Sequence, residues 1–184
     1  AYRLYQTGDL DIVGSQQFPP AHIAENVGQP GFVQLAQFFD AYVGFNNAKA
    51  PLDNVKLRRA LALAVDKTTL ADKVMNGAVV SADHIVPPGM PGFNTNLKPL
   101  SFDAAAAKQA LADAGFADGK GLPKLTLFYT TGQADFDKVS ATLQQMWKQN
   151  LGLDVAVQGE EQGKYNNDLT AMANDPKSSN LQIY

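Results

Sequence analysis

Residues 42–91 read YVGFNNAKAPLDNVKLRRALALAVDKTTLADKVMNGAVVSADHIVPPGMP, and the order of elements within them decides the fold. An apolar strand over 43–46 ends at the polar pair Asn46-Asn47. Pro51 then breaks the chain within 48–54, and Asp53 or Asn54 offers a side-chain oxygen to the first free N–H groups of the helix that follows. That helix, over 54–65, is apolar on most faces. Val55, Leu57, Leu61, Ala64 and Val65 form one stripe, and Ala60, Ala62 and Leu63 fill much of the rest, which argues for burial rather than a solvent-facing helix. Asp66 can cap a second helix over 67–76, which Gly77 closes in a left-handed conformation.

Downstream, 82–99 carries four prolines and two glycines without periodicity and reads as an ordered excursion. A helix over 103–114 is capped by Asp103, repeats Ala107, Ala110, Leu111 and Ala114 at helical spacing, and ends at Gly115 followed by the apolar Phe116. A strand over 125–129 is apolar on both faces, as an interior strand is. The helix over 136–151 places Phe136, Val139, Leu143, Met146, Trp147 and Leu151 on one side, which makes Trp147 a core residue. A strand over 153–157 completes a strand–helix–strand unit, hence a right-handed parallel crossover. A helix over 163–174, a loop through Pro176 and a closing strand over 181–184 follow. Upstream, 2–8 reads as a helix stopped by Gly8, 11–14 as a short strand, and 18–27 as a short helix. The stretches 32–37 and 39–46 form a candidate hairpin.

The chain of 184 residues has the size of one domain, with 45% hydrophobic and 18% charged residues, so it can bury a core. A formal net charge of −3 gives no basic stripe, which argues against nucleic acid as a partner. No apolar run approaches the length of a membrane helix, about 18 residues. Ala1-Tyr2-Arg3 leads directly into a polar helix end and shows no export-signal pattern. The absence of cysteine is compatible with either redox compartment.

Catalytic signatures do not emerge. Two histidines, His22 and His84, lie far apart without metal-ligand spacing, and the serines have no neighbouring His-Asp set. No catalytic residue, metal site or cofactor is therefore expected. His84, beside the proline-rich excursion, reads as a partly exposed loop histidine or as a group facing a ligand cleft. Gly119-Lys120-Gly121 lacks the phosphate-loop spacing and reads as a turn. Arg58 of the Arg58-Arg59 pair serves an ion pair or loop carbonyls, or clamps a ligand carboxylate. Glu160-Glu161 either complements the positive end of the next helix or holds a cation or amine. In open α/β sheets ligands sit beyond the carboxyl ends of strands. For the strand over 125–129 that end is Thr130-Thr131-Gly132-Gln133, just before a helix whose N–H groups could take a carboxylate.

The sequence GFN, then APLDNVKLRRAL, LAVDK, NGAVVSA and VPPGMPGF, resembles the family 5 extracellular solute-binding proteins of peptide/nickel ABC importers, above all the oligopeptide- and dipeptide-binding proteins. YRLYQTGDLDIVG near the start, AKQALADAGFADGKGLPKLTLFY and LQQMWKQNLGLDVAV extend the likeness over nearly the whole chain. The resemblance implies a fold: α/β, a mixed sheet flanked by helices, as one C-terminal-type lobe of a periplasmic-binding-protein type II fold. It implies that residues 1–184 are a single lobe whose partner lobe is absent from this chain, since the family would continue after Tyr184 through a Gly-Trp pair. It further implies an extracytoplasmic location, often with a lipid anchor, capture of a peptide or similar solute between lobes, and delivery to a membrane permease. The rival solutes are an oligosaccharide, an opine-like compound or a metal chelate. The rival classes are a free-standing enzyme domain and an interaction module.

Oligopeptide binders contact ligand through the strand leading into the Asn-Asn pair, which maps onto Tyr42 and Gly44. Alternation puts Tyr42, Gly44 and Asn46 on one face. The expected ligand-binding set is thus Tyr42, Gly44, Asn46, His84, Thr130, Thr131 and Gly132. The family's best-known members carry an acid where Gly44 stands, and cations where this chain has Met75 and Asp135-Phe136, so their charge logic does not transfer.

Overall fold

The computed structural model describes residues 1–14, 17–35 and 40–184, with Ala134 described in its backbone alone. Its contacts group the chain into two compact units, Ala1–Phe38 with Thr68–Ser81, and Phe39–Lys67 with Ala82–Tyr184.

The first unit is short helices around aromatic rings. Helix α1, Tyr2–Gln6, ends where Gly8 turns left-handed at φ 80°. Tyr2 is buried and meets Phe18 edge-on at 4.8 Å between ring centroids, and Phe18 in turn meets Phe32 at 5.4 Å. The helix expected over 18–27 is a 3₁₀ turn, Pro20–His22, running into α2, Ile23–Asn26. Residues 11–14 form no strand: they are mostly exposed, and Ile12 finds no core to alternate against. The turn of the expected hairpin, with residues 36–39, lies outside the described residues.

The second unit begins with the helix that the opening stretch dictates. In α3, Val55–Leu63, Asn54 is the capping residue of the two candidates: its Oδ1 accepts from the N–H groups of Lys56 and Leu57 at 3.0 and 3.4 Å. Leu57, Ala60, Leu61 and Ala64 are completely buried. The second helix starts at Lys67 as α4, Lys67–Thr69, and passes into the first unit, where it widens into a π-turn over Leu70–Val74. It stops earlier than expected because Asn76 and Gly77 both adopt positive φ. Helix α5, Ala104–Asp113, takes the Asp103 cap, with Oδ1 accepting from Ala106 N–H at 2.9 Å, and ends at Gly115, φ 92°. It packs along α3, where Ala60, Ala64 and Ala107 are small enough for close approach.

Strand β1, Thr126–Thr130, pairs in parallel with β2, Ala156–Glu160, and α6, Ala134–Leu151, connects them. Trp147 is 1% exposed, and its Nε1 donates to Leu61 carbonyl at 2.9 Å. Asn150 Nδ2 donates to Ala64 carbonyl at 2.8 Å. Two side chains of α6 thereby satisfy carbonyls at the open C-terminal end of α3. β2 begins later than the hydrophobic alternation suggests. Leu153 and Val155 are buried, but they enter the core before pairing starts, and the register Thr126↔Ala156 sets the ladder. The pattern reported burial, not hydrogen bonding.

Ile183, fully buried, bridges Phe45 in antiparallel and Leu127 in parallel sense. The lateral order is therefore 44–46, 182–184, β1, β2: a mixed sheet, as expected. Helix α7, Gln162–Asn174, follows β2.

Candidate functional site

The carboxyl end of this sheet gathers residues from four segments. Gly44 and Tyr184 face each other as a doubly bonded antiparallel pair, N···O 2.6 and 3.0 Å. A Cβ on Gly44 would lie 2.6 Å from Cε2 of the Tyr184 ring, so that ring occupies the space a side chain at 44 would take. Tyr42 is 71% exposed. At the end of β1, Thr130 is buried beside Glu160, and Thr131 donates to the Glu160 carbonyl through its N–H at 2.8 Å and its hydroxyl at 3.2 Å. Gly132 is exposed with φ 90°, a conformation that favours glycine.

Tyr165, in the first turn of α7, joins these pieces. Burial pushes its phenol above the usual value, and the nearby Tyr184, Tyr42 and Glu160 add to the rise. The strand-end loop thus meets Glu160, and the Tyr42–Gly44 strand meets Tyr184, both at the carboxyl end of the sheet.

Asn46 shares the face of Tyr42 and Gly44 but not their surroundings. It is 4% exposed; Nδ2 donates to the carbonyls of Pro176 and Leu181 at 2.8 and 3.1 Å, and Oδ1 accepts from Ala48 N–H at 3.2 Å. Its amide holds the closing segment in place. His84 lies in the excursion, its ring 5.1 Å from that of Phe93 and its Nε2 3.4 Å from Leu97 carbonyl. Arg58 Nη1 donates to the carbonyls of Leu52 and Asp53 at 2.7 and 3.0 Å, the loop-carbonyl role.

The acidic pair divides its work. Glu161 caps α7, accepting from Gly163 and Lys164 N–H at 2.9 and 3.2 Å, and those bonds hold its carboxyl below the usual range. Glu160 turns inward, 5% exposed, and takes Lys164 Nζ at 2.6 Å. Lys164 also bridges to Asp168 at 2.6 Å. Asp168 first, and Glu160 second, raise the lysine, while Lys164 lowers Asp168. The first turn of α6 holds Asp135 and Asp137, and Asp137 beside Tyr129 lifts that phenol above its usual value. Two acids already complement that positive helix end, so a ligand carboxylate is not favoured there. Lys164, Tyr165 and Tyr184 escaped the sequence reading because their roles depend on the register between distant strands. Only the Glu160-Glu161 pair gave a local signal.

Residues 1–179 match the family described as bacterial extracellular solute-binding proteins, family 5, Middle. The chain is 32% identical over 170 residues to the oligopeptide-binding protein OppA of Bacillus subtilis (strain 168), covering 88% of this chain and 31% of that protein. It is 44% identical over 121 residues to heme-binding protein A of Haemophilus influenzae, covering 64% of this chain and 22% of that protein. The crystal structure of a periplasmic oligopeptide-binding protein of Borrelia burgdorferi superposes with a TM-score of 0.80 at 30% identity, over 100% of this chain and 35% of the other. The Escherichia coli murein tripeptide-binding protein MppA gives 0.77 at 30% identity, over 99% and 35%. The fold is that of a periplasmic binding protein, in part. The chain belongs to the family 5 bacterial extracellular solute-binding proteins. It spans between about a fifth and a third of the length of these relatives.

Proposed function

We propose that residues 1–184 contribute one lobe of a two-lobed extracytoplasmic solute-binding protein. The whole protein captures peptides or similar small solutes in a cleft and passes them to the membrane permease of an ABC importer. The observation that carries this reading is the family match over residues 1–179, with relatives named for oligopeptides and murein peptides. The site proposed for this lobe is the sheet end with Tyr42, Gly44 and Thr130–Gly132. Binding there is reversible and involves no covalent chemistry: closure of two lobes buries the solute, and affinity depends on the balance of closed and open states as well as on contacts. A non-peptide solute is the second reading, favoured by the 44% identity to a heme-binding protein.

Calorimetry with a pool of tri- and tetrapeptides on the complete gene product that carries this chain tests the reading, and saturable binding is expected. Residues 1–184 alone should bind the pool weakly or not at all, because the rest of the cleft lies elsewhere. Failure of the complete protein to bind any peptide would sink the peptide reading. Saturable micromolar binding to residues 1–184 alone, abolished by a substitution among them, would show that no second lobe is needed.

A further inference from the structure

Glu160 is left half-satisfied at the carboxyl end of β2. Its side chain is 3% exposed. Lys164 and Gln158 both donate to Oε1, at 2.6 and 3.1 Å, while Oε2 is buried with no hydrogen-bond partner among the described residues. A buried carboxylate oxygen without a donor is costly, and native structures give such an atom a partner. The charge around it is also unbalanced. Lys164 serves both Glu160 and Asp168, so two carboxylates share one ammonium and a net negative charge remains. A carboxylate left uncompensated draws positive charge toward it.

Resting on the reading that this sheet end faces the solute, we propose that Glu160 Oε2, at the carboxyl end of β2, receives a cationic nitrogen of the solute, an ammonium or guanidinium. An anion has no comparable reception here, because the cation of the group, Lys164, is already shared between two acids.

The test uses the complete gene product and calorimetry with four probes: Ala-Lys-Ala, its N-acetylated norleucine counterpart with no cation, and the small cations agmatine and putrescine. The lysine peptide should bind at least about tenfold tighter than the neutral one, and Glu160→Gln should remove about tenfold of that preference while changing the neutral peptide little. Lys164→Met, at an exposed position, leaves both acids uncompensated and should increase the preference, which keeps the test decisive where Glu160→Gln fails to fold by circular dichroism. Peptides that bind with a preference unmoved by either variant overturn the inference and leave the peptide reading standing; Oε2 then holds only a buried water. Agmatine or putrescine binding that depends on Glu160, without peptide binding, does the reverse. Absence of binding by all four probes overturns both.

Discussion

Tyr42 and Asn46 lie on one face of one short strand and meet opposite fates. Asn46 is 4% exposed with both ends of its amide bonded to the chain, whereas Tyr42 is 71% exposed. The contrast extends across the sheet. On the Asn46 side the polar groups named here close on one another. On the other side lie an exposed phenol, a buried carboxylate oxygen without a partner among the described residues, and an ammonium shared between two acids. One end of the sheet holds the fold together, and the other is the end proposed to face the solute.

The strongest way to break the comparison is through the core that both ends rest on. Trp147→Ala removes a side chain that is 1% exposed and also strips the Leu61 carbonyl of its donor. It should cost roughly 3–5 kcal/mol in chemical denaturation. A nearly unchanged midpoint would mean that α6 does not anchor α3. Next in size, Asn46→Ala leaves the part-buried carbonyl of Pro176 and the buried carbonyl of Leu181 without the amide and should cost about 1–3 kcal/mol. Tyr42→Ala should stay within about 0.5 kcal/mol, as exposed positions do, and should act on solute affinity instead. If thermal melts placed the two variants at equal stability, the division between the two ends would be wrong.

Local signals carried most of the helices. Asn54 and Asp103 were legible as caps because an N-cap needs only a short polar side chain and the backbone just after it. Trp147 was legible because helical spacing alone put it in line with Leu143 and Leu151. The start of β2 was not, since buried Leu153 and Val155 carry the same alternation whether or not they pair. For the candidate site the signals were of two kinds. The strand-end rule pointed to Thr130–Gly132 and the family resemblance to Tyr42 and Gly44, but alternation could not separate exposed Tyr42 from buried Asn46. That difference comes from Pro176 and Leu181, far away in sequence. The contact of Tyr184 with Gly44 has the same origin, because it exists only once residues 182–184 lie between Phe45 and β1.

The smallest effect sharpens the comparison most. Gly44 has no positive φ that would demand glycine; the constraint on it is the Tyr184 ring, with Cε2 and Cζ at 2.6 and 2.7 Å from the place of a Cβ. Those atoms are the far end of a partly exposed side chain, which can swing. Gly44→Ala should therefore cost under about 1 kcal/mol, less than overpacking a rigid core does. The cost should vanish in a Tyr184→Ala background, because the double-mutant cycle isolates the contact between the two positions. Both measurements are melts and need no solute. Gly44→Phe, which drives the ring further, should lower solute affinity per folded molecule while stability falls only modestly. A large destabilisation by Gly44→Ala that persists without the Tyr184 ring would show that position 44 is packed from another side, and the sheet end would then belong with Asn46 rather than with Tyr42.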